Sequence, residues 1–316
     1  MATSGTYTFS QNRDAIIKRA ARLVGAIASG ETPDSDTIKD FSDAMNAMAK
    51  HWQTDGINIW TMGEGILFQQ LEQVRYVLGS GSADNATESF VQTTISADEA
   101  LGQTTISITD TSDMTAADYV GIELDDGTLH WSTISSKTST TIAIPDALTD
   151  SASEGNLVVS YTTKIVRPLK IVSARRYNFA SAQDTPLTEF DRIEYERQPN
   201  KTATGSVNAF YYDRRGGANT TGYIKLWPQP AVVDEAVKFT FARPIQDFST
   251  AANSADFPDE WFQALAFNLA VVMAPEYDVP ELKMARLERM ATQYLMQASW
   301  WEKELTEVRF VPDMRR

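Results

Sequence analysis

A helix with almost no polar side constrains this chain more than any other feature. Phe257, Pro258, Asp259, Glu260 and Trp261 open it, because an early proline with two acids behind it suits the positive end of a helix. Phe262, Leu265, Ala266, Phe267, Leu269, Ala270, Val271, Val272 and Met273 then cover nearly the whole circumference. Such a helix cannot lie on a wet surface. It must be enclosed by its own domain or by a neighbouring copy of the chain, and the sequence leaves both open. Assembly therefore comes before chemistry as the question to ask.

At 316 residues the chain is long enough for two or three domains with cores of their own. The absence of cysteine removes disulfides, thiolate metal sites and cysteine nucleophiles together, and fits a protein made in a reducing cytosol. The first thirty residues lack a basic segment followed by an apolar run, and no window approaches the ~20 apolar residues needed to span a bilayer. The expectation is neither export nor membrane insertion. A formal charge of −14 argues against a protein that wraps tightly around nucleic acid. It does not forbid a channel that lets a polyanion slide.

The pattern predicts an α+β fold: an N-terminal antiparallel helix pair and long C-terminal helices packed with a β-rich region, plus an inserted small all-β module. Ser10 is the expected cap of a first helix with Ile16, Ala20, Leu23, Val24 and Ile27 on one face, ended by Ser29 and Gly30. A second helix carries Ile38, Phe41, Met45, Met48 and Trp52 and closes at Asp55 and Gly56. Residues 1–85 form the helical part, with linker composition from Gly79 to Asn85. Residues 86–163 turn to threonine-rich alternation, with strands around Thr104–Ile108, Tyr119–Leu124, Leu129–Ile134, Thr140–Ile144 and Leu157–Tyr161 and a turn at Asp125, Asp126 and Gly127. Residues 164–250 supply strands at Lys170–Ser173, Ile193–Glu196, Ala209–Tyr212, Tyr223–Trp227 and Val237–Phe241. Residues 251–307 hold the C-terminal helices, the last running from about Glu281 to Thr306 with Leu287, Ala291, Tyr294, Ala298, Trp301 and Leu305 along one side. Residues 308–316 form a tail.

Catalytic chemistry finds little footing. His51 and His130 are the only histidines, and neither has the neighbours of a triad or a metal site. Asp34 with Asp36, and Asp110 with Asp113, lack the glycine and terminal glutamate of a calcium loop. Gly79 and Gly81 do not open a phosphate-cradling turn with its lysine. No catalytic, cofactor-binding or metal residue is assigned, and no cofactor is expected. Arg214 and Arg215, at a glycine-rich hairpin tip from Asp213 to Gly222, form an exposed contact loop, read either as a solvated turn or as a group that reaches a phosphate or an acidic partner.

Several segments together resemble the head-to-tail adaptor family of short-tailed bacteriophages, the neck proteins below the portal. The amino end, with Ile16, Ile17, Arg19, Ala20, Leu23 and Gly25, then Gly30, Glu31, Thr32 and Pro33, then Met45, Asn46, Met48, Trp52, Gly56 and Trp60, is similar to its opening helical pair. The second half is more specific: Arg167, Pro168 and Leu169; Pro186, Leu187 and Tyr195; Gly205, Tyr211, Tyr212 and Asp213; Gly222, Ile224, Leu226, Trp227, Pro228 and Pro230; then Phe257, Pro258, Glu260 and Trp261 with Ala264–Ala270. The β module interrupts this pattern.

The resemblance implies a homo-oligomeric ring of about twelve subunits in the virion neck, made in the host cytoplasm. It implies a portal protein and a tail tube or nozzle protein as partners, with DNA passing through the lumen without sequence-specific binding and no membrane contact. Tyr294, Trp301, Phe310, Arg315 and Arg316 are the expected oligomer or portal interface, the apolar-then-basic tail either reaching a neighbour or remaining a loose end. Two other classes stay open. One is a virion-associated cell-wall glycan hydrolase with an acid pair from the β-rich half. The other is a peripheral tail or receptor-binding component built around the β module.

Overall fold

The computed structural model describes residues 12–54, 61–81, 83–214, 221–250 and 256–301. The fold is mixed α+β. The chain divides into two compact units, residues 1–61 with 245–316 and residues 62–244. The described helices are α1 (Arg13–Val24), α2 (Ser35–Thr54), α3 (Arg192–Glu196), α4 (Phe262–Met273) and α5 (Glu281–Trp301).

In the first unit, α1 starts at Asn12, whose side-chain oxygen accepts the Ala15 amide at 2.9 Å. Ser10, the expected cap, lies outside the described residues. The helix stops at Gly25, earlier than Ser29 and Gly30, because Gly25 turns left-handed at φ 95° and its N–H donates to the Ala21 carbonyl. Asp34 caps α2 by accepting the Thr37 amide at 2.8 Å. Phe41, Met45, Met48 and Trp52 are buried along the α2 seam, and Ile38 is half-buried. The expected stop at Asp55 and Gly56 lies outside the described residues.

Pro258 precedes a tight turn over Asp259–Trp261 that feeds α4. One core joins Ile16, Ile17 and Ala20 of α1, Phe41 and Met45 of α2, Leu265 and Leu269 of α4, and Ala298 of α5. A smaller cluster sets Phe267 against Leu287 and Ala291. The apolar helix is therefore covered on most sides by its own unit, with Phe262 and Val271 half-buried and Val272 left 48% exposed. Asn268, an amide in the middle of the helix, donates to the carbonyls of Ala264 at 2.8 Å and Ala291 at 3.2 Å. Trp52, Phe257 and Trp261 close one end as a triangle of rings with centroids 5.7–6.2 Å apart.

The second unit begins with β1 (Met62–Phe68), β2 (Arg75–Gly79), β3 (Ala86–Thr87), β4 (Val91–Thr94), β5 (Thr105–Ser107), β6 (Tyr119–Glu123), β7 (Leu129–Thr133), β8 (Ser136–Lys137), β9 (Thr141–Ala143) and β10 (Leu157–Tyr161). It continues with β11 (Lys170–Asn178), β12 (Gln183–Pro186), β13 (Thr188–Glu189), β14 (Thr204–Gly205), β15 (Ala209–Asp213), β16 (Thr221–Trp227), β17 (Gln229–Pro230) and β18 (Glu235–Ala242). A five-stranded sheet, β12-β11-β18-β1-β3, and a four-stranded one, β13-β15-β16-β2, share a core of Leu67, Tyr76, Leu78, Phe210, Ile224, Leu226, Val237 and Phe239. β16 alternates half-exposed and buried residues, as a strand with one wet face should.

Strands β4 to β10 pair only among themselves, in the sheets β4-β10-β6-β7 and β5-β9-β8, around Ile106, Val120, Ile122, Ile142 and Val158. Their link to the rest of the unit is aromatic and polar. Phe68 of β1 lies 5.4 Å from Trp131, 5.9 Å from Tyr161 and 6.2 Å from Phe179, ring to ring. Gln70 then imitates a strand partner. Its Nε2 donates to the Leu129 carbonyl at 2.9 Å while its Oε1 accepts the Leu129 amide at 3.3 Å. The Tyr76 hydroxyl holds Gln70 in place, accepting its amide and donating to its carbonyl.

Three further expectations change. Ile193–Glu196 is helix α3 rather than a strand, because Asp191 and Glu194 form a reciprocal capping box that closes its first turn. β1 and β2 fall inside the stretch read as helical. β1 pairs with β18 from Met62↔Ala242 to Phe68↔Ala236, and Gly65 permits it, since a Cβ there would meet the Ile165 and Phe239 side chains. Residues 83–85 are tied down rather than linker-like: the Asp84 amide donates to the Val77 carbonyl and its carboxylate accepts the Val77 amide.

Trp261→Ala should lower stability by about 3–5 kcal/mol, read from the denaturant midpoint at unchanged slope. Gln70→Ala should cost about 1–3 kcal/mol and speed hydrogen exchange at the Leu129 amide above that of the Val158 amide.

Candidate functional site

Most of the residues singled out from sequence are on or beyond α5. The Tyr294 ring packs on Phe267 with centroids 5.0 Å apart and stays half-buried. Its other side lines a groove of about 680 Å³ with Glu260, Gln263, Met296, Gln297 and Trp300. Met296 is 58% exposed and Trp300 73% exposed, so the groove wall is apolar and wet. A second depression of about 540 Å³ continues along α5 past Arg289, Thr292 and Gln293, sharing Met296 and Gln297 with the first. Leu282, 70% exposed, lies at the start of the same helix. The side chain of Trp301, together with Phe310, Arg315 and Arg316, lies outside the described residues.

Trp301 is the expected contact residue of this region, and the structure adds Met296 and Trp300. Their four-residue spacing was the available signal. A helix whose buried side is satisfied by Leu287, Ala291 and Ala298 has no core use for them.

At one end of the second unit the chain gathers cations. The Arg167 Nη1 donates to the Arg214 carbonyl at 3.2 Å, the Tyr212 hydroxyl donates to the Pro168 carbonyl at 2.5 Å, and the Leu169 amide donates to the Ala242 carbonyl at 2.8 Å. These bonds bring Arg167, Lys170 and Arg214 to the same end of β11, β15 and β18. Burial pushes the Tyr212 hydroxyl well above the usual tyrosine range, opposed in part by the charges of Arg167 and Arg214. Arg214 is exposed, and Arg215 lies outside the described residues. Among the described residues, Arg167, Lys170 and Arg214 form no ion pair with any carboxylate.

The acids are elsewhere. Residues 86–163 hold twelve acidic side chains against the single Lys137, whereas the rest of the second unit holds eleven acidic and fourteen basic residues. Asp98, Glu123, Asp125, Asp126, Asp150 and Glu154 surround one rim of the β4–β10 region. Hydrogen bonds from Ser151, Ser153 and Asn156 hold the Asp125 carboxyl below the usual carboxylate range, so it stays charged.

His51 is exposed on α2. His130 Nε2 sits 3.2 Å from the Asp146 carbonyl. Among the described residues no three His, Cys, Asp or Glu side chains gather in a way that could hold a metal ion, and no helix is long and apolar enough to cross a membrane. Compared with known proteins, the chain matches no family model and no curated protein.

Burial also raises the hydroxyls of Tyr76 and Tyr161. In the unfolded chain these tyrosines ionise near pH 10, so the folded state binds more protons above that pH and stability falls as pH rises. A base titration followed at the tyrosinate absorbance should show Tyr76, Tyr161 and Tyr212 ionising later than the exposed tyrosines.

Proposed function

We propose that this chain is the head-to-tail adaptor of a short-tailed phage virion: a ring of about twelve copies that docks below the portal, extends the DNA channel, receives the tail tube or nozzle and helps retain packaged DNA. The observation that carries the reading is the outer face of α5. That helix seals the core on one side and presents Met296, Trp300 and a groove of about 680 Å³ on the other. An exposed apolar face of this kind marks a contact site, and a portal subunit is the partner assigned to it.

In this reading α1 and α2 are the antiparallel pair that opens the adaptor core, α4 and α5 its C-terminal helices, and the two sheets sharing the Leu67–Phe239 core its β-rich part. Residues 86–163 are an inserted module, supported by strands that pair only with one another. Work of this kind is geometric: helices docked on the portal set the ring, side-to-side contacts close it, and a chain of net charge −14 lets DNA slide without holding it.

The test is location and copy number in the native particle. Labelled protein should be found at the vertex through which the genome leaves, in a ring, and a solitary or distal position would overturn the reading. Met296→Glu with Trp300→Glu should leave the circular dichroism spectrum and melting temperature of the isolated chain nearly unchanged, yet abolish incorporation into particles. Tyr294→Asp should instead cost about 3–5 kcal/mol of stability, because its ring is packed on Phe267.

A further inference from the structure

Between paired charges in its middle, such as Arg175 with Glu64 and Arg176 with Glu235, the five-stranded sheet carries a cationic cluster at one end and the acid-rich β4–β10 region at the other. β11 begins at Lys170, beside Arg167 and Arg214, and ends at Asn178, next to Phe179 in the aromatic cluster that seats the β4–β10 region. β1 repeats the arrangement, with Met62 opposite Ala242 at the cationic end and Phe68 packed on Trp131 and Tyr161 at the acidic one. Nine residues of strand span about 26 Å at ~3.3 Å per residue. The Debye length at physiological salt is ~8 Å, so the arginines and the acidic rim of one copy cannot neutralise each other.

Nor does either end satisfy itself. Among the described residues the three cations have no carboxylate partner, and no acid between 86 and 163 takes part in an ion pair. Lys137, the only cation in that stretch, donates to the carbonyls of Thr111 and Ser112. Each end thus carries an excess of one sign, with Asp213 the carboxylate beside Arg214 at the cationic end. Guanidinium groups suit this use, because their planar fork meets a carboxylate with two parallel bonds.

We propose that the Arg167–Lys170–Arg214 end of one copy seats the acidic β4–β10 region of a second copy, which makes it the side-to-side contact of the assembly. The contact is head-to-tail. A pair joined this way still shows one free acidic end and one free cationic end, so addition continues until rotation closes the ring. The inference rests on the adaptor reading for its setting, and on the charge distribution for its content. It gives residues 86–163 a task inside the collar rather than on its periphery.

The test uses the full-length chain in sedimentation velocity over a range of concentrations. At about 20 mM salt the wild type should show a mass-averaged coefficient that rises with concentration, and at about 0.5 M salt it should run as a monomer. Arg167→Glu with Arg214→Glu should weaken association at least tenfold. Arg167→Gln with Arg214→Gln should give a smaller loss, which guards against misfolding of the reversed variant. Asp126→Lys with Glu154→Lys, both exposed on the acidic rim, should weaken it as well, and mixing the two reversed variants should restore association at one-to-one stoichiometry.

A wild type monomeric at low salt, or reversed arginines that associate like wild type, would overturn the contact. Random-sequence duplex DNA bound by the wild type and released by the arginine variants, without self-association, would instead assign the cations to phosphates. Failure of this inference and failure of the adaptor reading are separable. Arginine-reversed protein that still enters the neck in full copy number removes the contact and leaves the adaptor, whereas wild-type protein absent from the neck removes the adaptor.

Discussion

Enclosure of α4 is the constraint on which the helical unit depends. A helix of mostly apolar residues gains little from an amphipathic arrangement and must be covered on several sides at once. Here α1, α2 and α5 share that task, with Trp52, Phe257 and Trp261 closing one end. Most of the cover comes from the same chain, and Val272 is the residue of α4 left exposed among its apolar ones. What it offers to a neighbour is the back of the cover, the α5 face bearing Met296 and Trp300.

The β unit follows a different logic. Its two sheets close on a shared apolar core, and the β4–β10 region closes on a second one. The junction between them is small and specific, an aromatic cluster around Phe68 and the Gln70 amide bound to the Leu129 backbone. These contacts matter for the charge pattern, because they attach a region carrying twelve acids to the sheet whose other end bears Arg167 and Lys170.

Legibility in the sequence varied with how local the deciding physics was. The start of α4, the α2 seam and the Asp125–Gly127 turn were all readable, since caps, three-and-four spacing and turn chemistry act within a few residues. The Gly127 amide indeed donates to the Leu124 carbonyl across that turn. Helix α3 carries its capping box in Asp191 and Glu194, yet at five residues it is too short for a helical period to outweigh the alternation of Ile193 and Tyr195. β1 and β2 were missed for a less avoidable reason. Glycines at 63 and 65 break the apolar alternation of β1, and they are there because Phe241, Ile165 and Phe239 approach closely. No local pattern encodes that approach.

By itself the sequence determined the enclosed helix, the order of helical and β-rich stretches, the lack of cysteine chemistry and the excess of acid, all of which depend on residue type and near-neighbour spacing. Only the tertiary structure decided who encloses the helix, which α5 residues are left outside, and that Arg167 meets Arg214 at the end of β11 remote from the acidic rim. Those outcomes rest on strand register and on hydrogen bonds between residues far apart in the chain, such as Arg167 to Arg214 and Gln70 to Leu129. Spacing along a chain carries no information about such pairs until the sheets that unite them have formed.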